Sequence, residues 1–373
     1  MRIVTYEKGR AWVEIDMESM RHNVKVLRNI LPDRCKLMPA VKANAYGHGA
    51  IEISRELNKM GVYSFCVASV SEAVELRKAM IEGEILILGY THPDDFCLLR
   101  RFRLMQTVVD FEYAKLLNGY GKKIAVHIKV DTGMNRLGES FENTANIFRI
   151  FDCENLEIEG IYSHFASSNS SSTAEKLFTQ AQIDRFEEVL KSIRDQGYPL
   201  PKSHIQNSYG VFCCPDLSYD YARVGIALYG AYKAPELLSG LRSVLSLRAR
   251  VSAVKTVSKG ETVGYHPTCA APRDMKIALL SIGYADGIPR TLSNGVGRVL
   301  IRGKSAPVVG LVCMDQVIVD VTDIKDVKQG DVATIIGRDG TEEISVLEIA
   351  DTAGTIPNEI LSRLGDRLER IYE

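Results

Sequence analysis

Two groups of residues in this chain are of types and spacings that could do chemistry. The first centres on Lys42, at the end of the apolar run Met38-Pro39-Ala40-Val41 and just before Ala43-Asn44-Ala45-Tyr46-Gly47-His48-Gly49. A lysine after an apolar strand is costly to bury unless it does something. Desolvation there suits an amine that forms a Schiff base. A strand-end lysine whose ammonium simply reaches water is the plainer alternative. The second group lies far along the chain, in Gln206-Asn207-Ser208-Tyr209-Gly210 and Tyr221-Ala222-Arg223-Val224-Gly225-Ile226. A serine hydroxyl with the backbone N–H groups of Gly225 and Ile226 would suit a phosphate monoester. Gly225 could equally be a packing glycine. A Schiff-base lysine opposite a phosphate cradle would together fit pyridoxal phosphate.

For these groups to meet, the intervening chain must bring them to one place. Eight strand candidates do so in principle: Leu37–Ala43, Ser64–Ser69, Ile85–Tyr90, Met105–Asp110, Ala125–Asp131, Glu157–His164, Ser203–Ser208 and Tyr221–Tyr229. They are apolar without clean alternation, as expected when both faces of a parallel sheet are buried. Helix-compatible segments lie between most of them, including 71–82, 111–119 and 179–196, and a first amphipathic helix is expected over 18–31. Eight βα units point to a (β/α)8 barrel, whose sites lie at the C-terminal ends of the strands and whose phosphate sites often follow strands 7 and 8. A doubly wound open sheet is the alternative, but no GxGxxG turn favours it.

After about residue 240 the pattern changes to short alternating runs. Leu245, Leu247, Ala249 and Val251 alternate with polar residues, and Val299–Ile301, Pro307–Val312 and Val317–Val321 continue the theme between charged and glycine-containing turns. This predicts a mostly antiparallel β domain with helices near 345–352 and 357–364. The expected division is a barrel over 12–240 and a β-rich domain over 241–373, joined by residues 1–11. The Ser-rich stretch Ser167–Thr173 is expected to be a barrel loop.

Bulk properties exclude several classes. The 373 residues are 46% hydrophobic and 25% charged, with a net charge of −1, so nothing argues for nucleic acid or an anionic membrane. There is no signal-peptide pattern and no apolar run near the roughly 18 residues of a membrane span. A cytoplasmic location is expected, and the chain also fits the cytosolic portion of a longer tethered protein. The eight cysteines form no CxxC pair and the seven histidines no zinc spacing, so reduced thiols and no metal are expected.

At this point a resemblance becomes specific. AVKANAYGHG at 40–49, HIKVDTGMNRLG at 127–138, GIYSHFA at 160–166, RVGIALYG at 223–230, GYADGIPR at 283–290 and VCMDQ at 312–316 resemble, in order, motifs of the alanine racemase family. The resemblance runs over nearly the whole chain. It implies a pyridoxal-phosphate enzyme with Lys42 as Schiff-base lysine and one base, and Tyr265 as the second base. It places Tyr46 and Ser208, with the backbone of Gly225 and Ile226, at the phosphate, and Asn207 beside them in the cofactor site. It puts Arg223 at the pyridine nitrogen, with His164 linking Arg223 toward the tyrosine. Arg136 and the Met314 backbone would take the substrate carboxylate. Lys129 matches a position that is carbamylated in some members, where it orients the arginine. Tyr265 and Met314 enter the site from the partner subunit in this family, so a homodimer is implied. Two bases on opposite faces of Cα suit racemisation, with the cofactor as electron sink. A free tyrosine has a pKa of about 10, so Tyr265 would need cationic or hydrogen-bonding help.

One departure bears on the substrate. The family usually reads TI-x-Tyr-Glu near the C-terminus, where this chain has Thr355-Ile356-Pro357-Asn358-Glu359. Asn358 leaves more room beside Cβ and offers a hydroxyl partner, while putting one phosphate contact in question. This resembles the membrane-associated serine racemases of vancomycin-resistant bacteria. The expected reaction is therefore racemisation of serine and alanine, with D-amino acids supplied to peptidoglycan. A strict alanine racemase is the nearest alternative. A basic amino-acid decarboxylase and a non-catalytic cofactor-binding protein are more remote, and the motifs match neither as well.

Overall fold

The computed structural model describes residues 8–166, 172–232, 240–266 and 269–373. Residues 1–7, and 167–171 of the Ser-rich loop, lie outside the described residues. Ten short strands come first: β1 (Ala11–Ile15), β2 (Lys36–Leu37), β3 (Ser64–Val67), β4 (Glu84–Ile87), β5 (Met105–Val108), β6 (Ile124–Asp131), β7 (Glu139–Ser140), β8 (Leu156–Tyr162), β9 (Lys202–His204) and β10 (Tyr221–Ala222). Strands β3, β4, β5, β6, β8 and β9 pair side by side in parallel, and β10 pairs in parallel with β2. Single parallel bridges close the ring, from Ala40 to Cys66 and from Asn207 to Arg223. Around the first seam, Val41 N–H donates to Cys66 C=O at 2.9 Å and Cys66 N–H to Pro39 C=O at 2.8 Å. At the second, Arg223 N–H donates to Gln206 C=O at 2.9 Å. Eight strands thus form the closed (β/α)8 barrel expected from the alternation of strands and helices.

Local chemistry starts the surrounding helices. Asp16, Ser69, Asp110 and Ser172 each accept a backbone N–H at the first turn of helices Met17–Ile30, Val70–Lys78, Phe111–Gly119 and Thr173–Asp195. The barrel interior holds Met38, Ala40, Cys66, Leu86, Met105, Tyr162 and Tyr221. A larger apolar layer lies between strands and helices, including Val24, Leu27, Phe65, Ile85, Ile128 and Phe186. Burial on both strand faces explains the unbroken apolar runs.

Two strand expectations are too long, for a common reason. The run Tyr221–Tyr229 leaves the sheet after the Arg223 bridge, because Ser208 Oγ accepts the N–H groups of Gly225 at 2.9 Å and Ala227 at 3.3 Å. The run Ser203–Ser208 ends as a strand at His204, because Asn207 caps the helix Ser208–Cys213 by accepting Gly210 N–H at 2.9 Å. Side-chain acceptors have replaced the sheet ladder at the barrel mouth.

The C-terminal part contains β11 (Leu245–Val257), β12 (Met275–Leu280), β13 (Arg298–Ile301), β14 (Lys304–Pro307), β15 (Val317–Asp320), β16 (Val332–Asp339), β17 (Glu342–Ile344) and β18 (Glu369–Tyr372). The long β11 is the hub, antiparallel to β1, β12 and β16. Residues Trp12–Ile15, expected to open the barrel, instead lie in β1 between β11 and β18, where they extend the β domain's sheet. The run Pro307–Val312 contributes only the end of β14 and a bridge from Val308 to Val319. Its Val308 and Gly310 carbonyls accept from Gly295 and Asn294, so it becomes a turn. Among the described residues, no helix is long and apolar enough to cross a membrane.

Asp286 ties the β domain's loops together. It is fully buried, accepts from Arg10 at 2.6 and 3.1 Å and from Gly283 N–H at 3.0 Å, and lies 3.3 Å from Arg367. Next to it, Ala285 N–H donates to Met314 C=O at 3.0 Å. Replacing Asp286 by Ala is expected to cost about 2–4 kcal/mol, since the buried carboxylate's charge-assisted bonds are all lost. A shift in denaturant midpoint worth under about 1 kcal/mol would contradict this role.

Candidate active site

Lys42 opens a backbone conformation that the sequence did not lead us to expect. Ala43, Asn44, Ala45 and Tyr46 have φ values of 51, 52, 52 and 52°, and Gly47 follows at 79°. This is one turn of left-handed helix, a conformation costing roughly 1–2 kcal/mol per non-glycine residue. The surroundings hold it in place. Ala43 N–H donates to Glu72 at 2.7 Å, and Asn44 Oδ1 accepts Ala50 N–H at 2.7 Å. Inside the turn, Ala45 N–H reaches Val41 C=O at 2.8 Å and Gly47 N–H reaches Ala43 C=O at 3.0 Å. From the β domain, Arg370 donates to Gly47 C=O at 2.8 Å. A side chain on Gly47 would fall 2.3 Å from Leu361 C=O, so the turn and the helix Pro357–Ser362 touch backbone to backbone. Asn358 is half-buried in the first turn of that helix.

Tyr46, Ser208 and Gly225 converge. A Cβ on Gly225 would lie 2.8 Å from the Tyr46 hydroxyl, while Gly225 N–H is held by Ser208 Oγ. Ile226 N–H has no acceptor among the described residues. Tyr46 packs against Tyr229 at 5.3 Å, and the Tyr229 hydroxyl donates to Ala40 C=O at 3.1 Å. Burial pushes the Tyr46 phenol up to about 12, so it remains a neutral donor. The Tyr46 and Ser208 hydroxyls and the Ile226 N–H, around a missing Cβ, make a cradle that fits a phosphate monoester, whereas the Gly225 N–H expected to join them is instead engaged by Ser208. Asn207 supports this cradle by capping the Ser208 helix.

Arg223 lies beneath, buried. It donates to Ser163 C=O at 2.6 Å, Ile205 C=O at 3.2 Å and His164 Nδ1 at 3.0 Å, and also to His204 Nδ1. Its guanidinium stacks over Tyr162 at 4.8 Å. Burial, then the Arg223 charge, holds His164 well below the usual histidine range. Lys129 is buried on β6 over the same Tyr162 ring, and desolvation followed by the Arg223 charge lowers it to about 7. Desolvation also lowers Lys42, aided by the Arg136 charge and partly opposed by Cys66 and Glu72. These shifts favour free amines. His204 belongs to this cluster and was not singled out from sequence, although it sits two residues before Gln206 in the strand that leads to the cradle.

The remaining residues fall in two places. Arg136 is exposed in the loop after β6, close enough for its charge to act on Lys42, Lys129 and His164. Tyr265 and Met314 lie on the β domain, 67% and 53% exposed. No side-chain hydrogen bond joins either to Lys42, Arg136 or Arg223 among the described residues.

Models of the alanine racemase N-terminal and C-terminal domains match residues 15–233 and 244–372. An amino-acid racemase of Enterococcus faecalis is 43% identical over 98% of this chain, which spans only about half of that relative, 52%. An alanine racemase of Nostoc sp. is 38% identical over 97% of this chain and 95% of its own length. The solved alanine racemase of Bartonella henselae with covalently bound pyridoxal phosphate superposes with a TM-score of 0.86 at 31% identity, covering 98% of this chain and 100% of that one. Fold and relatives together define a class, that of the alanine and amino-acid racemases, which are isomerases. This chain belongs to the alanine racemase family.

Replacing Gly225 by Ala should displace the Tyr46 hydroxyl and weaken pyridoxal phosphate binding by at least about tenfold, worth roughly 1.4 kcal/mol. Fluorescence titration of the cofactor-free protein would measure it. Unchanged affinity would mean that the cradle does not hold the phosphate.

Proposed function

We propose that this chain racemises serine and alanine, with Lys42 and Tyr265 as opposing bases at a pyridoxal phosphate site on the barrel mouth. The observation that carries the proposal is a desolvated Lys42 amine next to the cradle of Tyr46, Ser208, Gly225 and Ile226. When bound, the cofactor supplies an electron sink for the pair left at Cα on deprotonation. Lys42 would hold the cofactor through its amine and, once displaced by substrate, move the Cα proton on the D-side. Tyr265 would move it on the L-side. Arg136 and the Met314 backbone N–H would orient the carboxylate. Arg223 can only donate, so facing the pyridine nitrogen it would leave that nitrogen unprotonated and limit transamination. The His164 ring accepts from Arg223 through Nδ1, which leaves its Nε2–H as the donor that would serve the tyrosine. Lys129, lowered to about 7, is sufficiently free amine near neutral pH to take up carbon dioxide as a carbamate, which would hold Arg136.

Tyr265 and Met314 are exposed in the single chain, which supports a homodimer in which each completes the other subunit's site. Co-expressing Lys42→Ala and Tyr265→Ala subunits tests this. Each is inactive alone, but a mixed dimer rebuilds one of its two sites. Random pairing should restore roughly a quarter of wild-type activity. No restoration would place both bases on one chain.

The inclusion of serine beside alanine rests on Asn358. In the helix packed on the Lys42 turn it replaces a tyrosine expected from the family motif, and its amide can pair with a substrate hydroxyl. Leaving that hydroxyl unpaired costs about 1–3 kcal/mol, so pairing is worth roughly ten- to a hundredfold in relative efficiency. Alanine merely lacks the hydroxyl and should still react. Asn358→Tyr is expected to lower the serine-to-alanine ratio of kcat/KM by that factor. An unchanged or raised ratio would sink the assignment.

A further inference from the structure

We propose that His127 is a positioning residue for Arg223, acting through His204, and that Gly160 is what admits it to the barrel axis. His127 lies on β6 and His204 at the end of β9, and their rings meet edge to face. His127 Nδ1 is 2.8 Å from His204 Nε2, and His204 Nδ1 meets the Arg223 guanidinium. A Cβ at residue 160 would lie 2.4 Å from both Nδ1 and Cε1 of His127. Only glycine leaves room for that ring beside β8.

The direction of the chain follows from donors and acceptors. A guanidinium has no acceptor. His204 Nδ1 must therefore accept, which puts its proton on Nε2. That N–H must find an acceptor, and His127 Nδ1 is the one within reach. His127 in turn carries its proton on Nε2, a buried atom with no protein partner. Double protonation of either ring is opposed by burial and by the neighbouring cations Arg223, Lys129 and Lys202. The nearby carboxylate, Glu84, is already engaged by Lys202 and by the Tyr221 hydroxyl, each at 2.6 Å. Face-to-face stacking on Tyr162 at 4.8 Å and the edge of Tyr221 hinder rotation of His204. Both rings are thus neutral and each is held in one tautomer.

This matters because no carboxylate pairs with Arg223 among the described residues. Its orientation rests on neutral acceptors, of which His204 is one. Without an acceptor at residue 127, the His204 Nε2–H would be left buried and unpaired. The ring would lose one of the two bonds that fix it, and Arg223 would lose a rigidly held acceptor. The consequence for the reaction rests on the reading that Arg223 faces the pyridine nitrogen.

The test uses holoenzyme labelled with nitrogen-15 in histidine. Long-range proton–nitrogen spectra should show His127 and His204 as Nε2–H tautomers, unchanged from about pH 5.5 to 8.5. In His127→Phe, the His204 Nε2–H should lose its hydrogen bond, read as an upfield shift of that proton. In the same variant, kcat should fall by roughly ten- to a hundredfold with KM little changed, and the ratio of transamination to racemisation should rise. His127→Gln, whose amide oxygen can accept the bond, should keep the His204 tautomer and restore kcat to within about threefold. If His127→Phe does not fold, the wild-type spectra and His127→Gln still decide. A protonated ring at pH 7, or His127→Phe with the His204 Nε2–H resonance and kcat unchanged, overturns the proposal. An Arg223→Lys variant with an unchanged transamination ratio would instead refute the role of Arg223, leaving the tautomer result standing.

Discussion

The site depends on one unfavourable stretch of backbone. Four consecutive non-glycine residues after Lys42 adopt left-handed dihedrals, at a cost on the order of 4–8 kcal/mol if alone. The turn persists because several elements engage it at once. Glu72 comes from the following βα unit, and Arg370 and the Leu361 carbonyl from the β domain. Residues four apart share one side of a helical turn, so Lys42 and Tyr46 are presented together to the barrel mouth. The β domain therefore does more than carry Tyr265. It is part of the clamp that makes the Lys42 turn tenable.

A second constraint is electrostatic. Lys42, Lys129, Arg136 and Arg223 act on one another at the barrel mouth, and burial adds to their repulsion. The two lysines respond by losing proton affinity, whereas an arginine does not deprotonate in proteins. The result is a pair of lysines with lowered proton affinity beside fixed cations. A phosphate dianion and a substrate carboxylate are the groups that such a field would draw in. The neutral histidines extend this logic downward. Because they neither add charge nor cancel it, Arg223 keeps its full charge at the centre of the barrel.

Much of this was legible in the residues. The barrel followed from eight apolar runs interleaved with helical segments, and the β domain from the change to alternation after residue 240. The hydroxyl and glycine at Ser208 and Gly225 are legible as residue types, but that Tyr46 closes on Gly225 is set only by the tertiary structure. Strand ends were overextended where Ser208 and Asn207 capture backbone N–H groups, since apolar runs do not reveal a competing side-chain acceptor. Residues 12–15 were assigned to the barrel because an apolar strand reads alike in either sheet.

The sequence by itself determined which groups were available: a lysine closing an apolar strand, a hydroxyl-and-glycine pair near the last strands, a tyrosine and a methionine in the β domain, and an asparagine where the family carries tyrosine. These are properties of residue type and order, and they survive without coordinates. Tertiary structure alone decided three further things. It set the hand of the turn after Lys42, because no local preference favours left-handed alanines. It set the lowered proton affinity of Lys42 and Lys129, because desolvation depends on what is packed around an amine. It also joined Arg223, His204 and His127 along the barrel axis, because hydrogen bonds between residues up to 77 positions apart exist only once the strands have closed into a ring.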